Sequence, residues 1–290
     1  MQHVVTSPSE PFIAMGGALE VHQIPVWQDN LVWIAVCTET RAAAVIDGPP
    51  DADTVLAYCE GRGIRLTAVI NTHTHGDHIG INNALADKGL LADMRVIGPE
   101  KVARMIPGIT EVVREGSPVR IGQAVGTTIE TEGHLDGHVS YVFGDVLFCG
   151  DTMFGAGCGY LFDGPPELMY ASLLKLAALP DGTRVCCAHE YTEDNLRFAW
   201  TIEPDNEELA QRIAKVWDLR ERGRCSVPSR IEVERATNPF LRTGSPTILH
   251  ILSRAMPDAD LDTGADVFAA LRRLKDTKRY RKLPDEKLPL

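Results

Sequence analysis

Short apolar runs separated by polar turns dominate the first two hundred residues, and their spacing predicts alternating strands and helices. Residues 31–37 and 42–46 flank the polar turn Thr38-Glu-Thr-Arg41 and predict two strands. A helical pattern over 51–62 stops at Gly63, a strand follows over 66–71, and a second helix over 77–88 stops at Gly89. Residues 94–97 predict a strand closed by Gly98-Pro99. From Pro118 the pattern returns to strands, at 127–131, 139–143 and 146–149. A helix over 168–179 and a strand over 184–188 come next. Two hairpins end alike, in Ile46-Asp47-Gly48 and in Cys149-Gly-Asp151, which hints at an internal duplication. Strands interleaved with helices in two similar halves predict two mixed sheets packed face to face with helices outside. Beyond about residue 200 strands fade: 207–223 carries the stripe Leu209, Ile213, Val216, Trp217 and Leu219, and 267–275 is helical again. The expected domains are therefore 1–200, carrying the sandwich, and a helical unit over 201–290.

The strand at 66–71 runs directly into Thr72-His-Thr-His-Gly-Asp-His78. From extended backbone His73 and His75 project the same way, while Asp77 and His78 follow a glycine where a helix is expected to begin. Three further candidates lie where other apolar or β-branched segments end: His138 in Gly137-His138, Asp151 in Phe148-Cys-Gly-Asp151, and His189 in Cys187-Ala-His189. A tetrahedral zinc takes about four ligands, so five imidazoles and two carboxylates exceed one ion and suit two. Two such ions sit about 3.5–4 Å apart, close enough for one carboxylate to bridge them. The alternative is a polar loop whose histidines meet only water.

Composition narrows the field. The 290 residues suffice for one large domain or two smaller ones, and 44% hydrophobic with 24% charged residues is ordinary for a globular protein. A formal net charge of −11 argues against nucleic-acid and anionic-membrane binding, so an anionic substrate needs a local basic patch. The seven cysteines, 37, 59, 149, 158, 186, 187 and 225, form no CxxC pair and read as small core residues in a reducing compartment. No signal peptide or membrane-spanning run is evident, and a cytoplasmic monomer is expected. The segment up to about Ala18 carries no readable pattern.

With these residues assembled, the chain resembles the metallo-β-lactamase superfamily, an αββα sandwich with an HxHxDH metal motif, and within it the glyoxalase II (hydroxyacylglutathione hydrolase) family. The resemblance spans about residues 20–282 and rests on THTHGDH at 72–78, GHLDGH at 133–138, FCGDTMFGAGCG at 148–159, HEYTEDNLRFA at 189–199, NPFLR at 238–242 and LRRLKD at 271–276. It implies one metal held by His73, His75 and His138, a second by Asp77, His78 and His189, and Asp151 bridging. His134 then has a structural role within its turn, and Asp47 orients a ligand histidine from behind. Two divalent ions, zinc foremost with iron or manganese as alternatives, would share a hydroxide that attacks a thioester carbonyl, Asp77 accepting a hydrogen bond from it. The substrate implied is S-D-lactoylglutathione, yielding D-lactate and glutathione. The thiolate leaves without a strong general acid, since a thiol pKa lies near 8.5.

For the carrier thiol the resemblance implies Gly159, Tyr191, Arg272 and Lys275, the last two a turn apart on one helix and facing the glycine carboxylate. The family usually carries a basic residue after Gly159, where this chain has Tyr160, so the preferred acyl-thiol could differ. Phe162 follows where some members have tyrosine. Other readings of the same site are hydrolysis of another acyl-thiol or a lactone, persulfide oxidation with one iron, or metal binding without catalysis. A full set of seven ligands argues against the last two.

Overall fold

A computed structural model describes residues 4–290. The first sheet has seven strands in chain order: β1 (Phe12–Ala14), β2 (Leu19–Val26), β3 (Asn30–Cys37), β4 (Ala42–Ile46), β5 (Arg65–Ile70), β6 (Arg95–Pro99) and β7 (Glu111–Val113). Neighbours are antiparallel up to β4 and parallel beyond it. The second sheet is built from β8 (Pro118–Ile121), β9 (Ala124–Glu130), β10 (Val139–Phe143) and β11 (Val146–Gly150). After the small ribbon of β12 (Met153–Phe154) and β13 (Gly157–Cys158), it is completed by β14 (Arg184–Cys187) and β15 (Ser229–Arg230). Its spatial order is β15-β14-β11-β10-β9-β8, with β11 and β14 parallel.

The central strands β3, β4 and β11 are almost wholly apolar because both of their faces are covered. On β3, Trp33, Ala35 and Cys37 join the core between the sheets, while Val32, Ile34 and Val36 join a second core. That second core lies under α1 (Ala52–Glu60) and α2 (Gly76–Asp87), through residues such as Val55, Ile81 and Leu85. Helix α3 (Pro166–Ala177) inserts Met169, Leu173 and Leu176 into the first core. Sheets face to face with helices outside are therefore the observed architecture. The duplication is visible too: β3-β4-α1-β5 and β10-β11-α3-β14 are both an antiparallel hairpin, a helix and a parallel return, with Asp47 and Asp151 following the hairpins.

From residue 192 the chain is mainly helical: α4 (Thr192–Ile202), α5 (Glu207–Glu221), α6 (Ile231–Thr237), α7 (Pro246–Ala255) and α8 (Gly264–Asp276). The expected boundary at 200/201 falls inside α4. The sequence pattern predicts none of α4, α6 and α7, nor β2. Within the segment before Ala18, residues 6–14 are tied down, with Thr6 and Ser7 donating to the Gly223 carbonyl and β1 pairing with β2, while residues 1–3 lie outside the described residues. Among the described residues no helix is long and apolar enough to cross a membrane. All seven cysteines are free and buried.

Candidate metal centre

Chain ends of parallel and adjacent strands deliver the ligand-type side chains to one rim of the sandwich. β5 leads into the 71–75 loop, and α2 begins at Gly76, so Asp77 and His78 sit in its first turn. β11 leads to Asp151 and β14 to His189. The loop between β9 and β10 carries His134.

Three imidazole nitrogens converge at one end. His73 Nε2 lies 3.1 Å from His75 Nδ1, which lies 3.0 Å from His134 Nε2. The far nitrogens are already engaged. His134 Nδ1 donates to the Tyr160 carbonyl at 2.8 Å. His73 Nδ1 faces Thr72 Oγ1 at 3.0 Å, and that hydroxyl itself donates to Asp47 Oδ2 at 2.7 Å. Both far nitrogens are thus N–H donors, which leaves lone pairs on His73 Nε2 and His134 Nε2 aimed at the same place. One N–H on His75 can satisfy only one of them; a cation satisfies all three. Burial first, and then the neighbouring rings, hold His73 well below the ordinary imidazole range, which keeps it a neutral donor.

The second grouping is Asp77, His78 and His189. His78 Nδ1 donates to Asp47 Oδ2 at 3.0 Å, and His189 Nδ1 to Asp29 Oδ1 at 3.0 Å, so each presents Nε2 inward. His189 Nε2 is 3.3 Å from Asp77 Oδ2, which also accepts from Asn30 Nδ2 at 3.0 Å. Burial disfavours a cation on His189, yet Asp151 and the bonds to Asp29 and Asp77 raise it to about 9. Burial would raise the Asp77 carboxyl, but His189, His78 and Asn30 hold it below the usual carboxylate range.

Asp151 joins the two groupings. Its Oδ2 lies 3.4 Å from His134 Nε2, and its Oδ1 lies 3.4 Å from His78 Nε2 and 3.5 Å from His189 Nε2. His78 Nε2 and Asp151 Oδ1 are both buried without a hydrogen-bond partner, which is costly unless something else binds them. Mixed imidazole and carboxylate donors, oriented from behind by Asp47, Asp29 and Thr72, fit divalent cations.

Of the two histidines in the 133–138 turn, the structure brings His134, and not His138, together with His73, His75 and Asp151. His138, expected as a ligand, stands at the start of β10 with no exposure, and both of its nitrogens are used. Its Nε2 accepts the Asp151 backbone N–H at 3.1 Å, and its Nδ1 faces Thr131 Oγ1 and Thr152 Oγ1 at 3.1 and 3.2 Å. It therefore braces the backbone of Asp151. His134, expected to serve only its turn, is lifted over the rim because Gly133 takes φ 129° with Met169 backbone against it. Asp29, Asn30 and Thr72 had not been singled out. Asp29 lies in a polar hairpin turn, and nothing local in the sequence links it to His189.

A cleft of about 470 Å³ runs from this cluster towards the helical part. Gly159 lies close to the cluster: a Cβ there would sit 2.2 Å from the Asp151 carbonyl and 2.7 Å from His134 Nδ1. Tyr191 stacks on the His189 ring, planes 4° apart. The Phe162 ring, 62% exposed, stands edge-on to His75 and His134. Tyr160 lies beneath the Arg272 guanidinium, 4.9 Å from ring centre. Arg272 and Lys275 both line the far end and are nearly buried. Arg272 commits Nε and Nη2 to Asp276 and Nη1 to the Cys158 carbonyl. Lys275 Nζ stands 3.7 Å from Asp194 and 3.4 Å from Tyr280 Oη.

The fold and the paired cluster define a metal-dependent hydrolase of the metallo-β-lactamase superfamily, whose model matches residues 27–189. Residues 190–278 match the model described as the hydroxyacylglutathione hydrolase C-terminus. The hydroxyacylglutathione hydrolases of Alkalilimnicola ehrlichii and Methylococcus capsulatus are each 44% identical, over 89% and 90% of this chain and 98% and 99% of their own. The crystal structure of ETHE1 from Myxococcus xanthus superposes with a TM-score of 0.60 at 25% identity, covering 86% of this chain and 99% of that one. The chain belongs to the hydroxyacylglutathione hydrolase family.

Proposed function

We propose that this enzyme hydrolyses S-D-lactoylglutathione to D-lactate and glutathione at a dinuclear centre. His73, His75 and His134 would hold one ion and Asp77, His78 and His189 the other, with Asp151 facing both sets. The single observation carrying the dinuclear reading is Asp151, whose two oxygens face different sets of imidazoles. Zinc suits these donors, with iron or manganese also compatible. When bound, the ions supply Lewis acidity and a water whose pKa falls to about 7.

The chain's own residues do the rest. Asp47, Asp29 and Thr72 fix the tautomers and ring directions of His78, His189 and His73. His138 fixes Asp151 through its backbone. Asp77, held below the usual carboxylate range and partly exposed at the cleft, is placed to accept a hydrogen bond from the incoming nucleophile. Tyr191 is kept neutral, burial pushing its hydroxyl well above the phenol range, so it offers a donor beside His189. Lys275 faces the carrier's carboxylate at the far end. Seven free cysteines support a reducing, cytoplasmic setting.

The test is steady-state hydrolysis of a thioester panel by metal-replete protein. Preferred turnover of S-D-lactoylglutathione is expected. A fully metallated protein inactive on every thioester, or one consuming oxygen with glutathione persulfide, overturns the proposal.

A further inference from the structure

Residues 279–290 lie past the end of the matched family region. They form two short 3-10 turns, Arg279–Lys282 and Asp285–Lys287, strapped back across α4. Arg197 donates to the Leu283 carbonyl at 2.6 Å and pairs with Asp285, and Trp200 Nε1 donates to the Lys287 carbonyl at 3.1 Å. Leu283 and Leu288 pack on the apolar cluster of α4 and α5. The strap thus has its own anchorage, and it delivers Tyr280 and Arg281 to the cleft wall.

Both end on Asp194 of α4. Arg281 grips it with two prongs, Nε to Oδ1 at 2.8 Å and Nη2 to Oδ2 at 3.1 Å, and Tyr280 Oη donates to Oδ2 at 2.5 Å. The groups facing Lys275 are Asp194 and the Phe198 ring from α4, Arg272 from its own helix, Cys158 from β13, and Tyr280 and Arg281 from the strap. Asp194 is the one carboxylate among them. An ionised carboxylate has about four lone-pair sites, and the strap takes three. Lys275 is left at 3.7 Å, a loose pairing. Burial lowers its ammonium to about 7, against the pull of Asp194, so the charge it carries is unusually responsive to a second anion.

Resting on the reading that the cleft takes a thiol carrier ending in a carboxylate, we infer that Tyr280 and Arg281 are positioning residues for that carrier. They occupy Asp194 and leave the Lys275 ammonium with only a long 3.4 Å bond to Tyr280 Oη and the 3.7 Å approach to Asp194, so that it can turn to the incoming carboxylate. Without them Asp194 closes on Lys275, and the substrate must displace a tethered competitor that loses no translational freedom on pairing. The strap is therefore a specificity element outside the catalytic cluster.

The experiment compares S-D-lactoylglutathione with the lactoyl thioester of N-acetylcysteamine, which has no carboxylate, on the full-length holoenzyme. Tyr280→Phe with Arg281→Gln is expected to raise KM for the glutathione thioester about tenfold while kcat stays within about twofold, and to leave the neutral thioester unchanged. Arg281→Gln alone, at a position about half exposed, shows the same split at smaller amplitude. Adding Asp194→Asn to the double variant removes the competitor and returns KM to within about threefold of the starting value. A KM that rises alike on both thioesters, or no recovery with Asp194→Asn, overturns the inference. Absence of lactoylglutathione turnover by the unmutated enzyme, with other thioesters still cleaved, instead overturns the substrate reading beneath it.

Discussion

His134 and His138 are each preceded by glycine, sit four residues apart in one turn, and are both buried. What separates them is where the strand begins. His138 immediately precedes β10, and its Nε2 lone pair is spent on the Asp151 N–H, whereas His134 Nε2 faces His75 and Asp151. His134→Ala should therefore lose one ion per chain by elemental analysis, together with nearly all activity. His138→Ala should keep both ions but bind them about 10–100-fold more weakly, the usual cost of removing a group behind a ligand. Asp29→Ala belongs with His138→Ala, because it frees His189 Nδ1. Equal metal loss in His134→Ala and His138→Ala would refute the assignment. The heptapeptide at 72–78 was legible because a strand, a glycine and a helix start fix its directions within seven residues. The 133–138 turn was not, because its choice of histidine depends on Gly133 packing against Met169 thirty-six positions away.

At the scale of elements, most inner strands and helices showed in the pattern because both of their faces are apolar or their stripes are regular. β2 hid because His22 and Gln23 are buried polar residues inside it, His22 Nδ1 meeting Tyr58 Oη at 3.2 Å and Gln23 Nε2 donating to the Val227 carbonyl at 2.9 Å. Those partners come from distant segments, so the local pattern reads as interrupted. The join between β11 and Asp151 is a tightly packed element boundary at the site. Gly150 has φ 47°, and a Cβ there would lie 2.3 Å from Thr72 Oγ1 and 2.8 Å from His138 Nε2. Gly150→Ala is accordingly expected to cost roughly 2–4 kcal/mol in denaturant unfolding, combining left-handed backbone strain with overpacking, and to weaken metal binding as well. A variant with unchanged unfolding and metal content would show that this junction is slack.

Over the whole molecule, a net charge of −11 coexists with a cleft that is metal-binding at one end and cationic at the other, through Arg272, Lys275, Lys278 and Arg281. That far end has a pH signature. Lys275 is pushed down to about 7 by burial, opposed by Asp194 and Cys158 and reinforced by Arg272 and Arg281, with the Tyr280 hydroxyl 3.4 Å from its Nζ. Its ammonium is present below that pH and lost above it. KM for a carboxylate-bearing thioester should thus rise between about pH 6 and about pH 9, and the rise should vanish in Lys275→Met. A flat profile in the unmutated enzyme would contradict this. The arrangement that links everything is Asp151 shared between two sets of imidazoles, each of which draws on the 73–78 segment of the first half and on one histidine of the second, His134 or His189. Titrating zinc into metal-free protein and counting bound ions per chain tests it most directly. Two ions per chain, falling to fewer than two in Asp151→Ala with activity abolished, is the predicted result; one ion per chain in the fully active enzyme would contradict it.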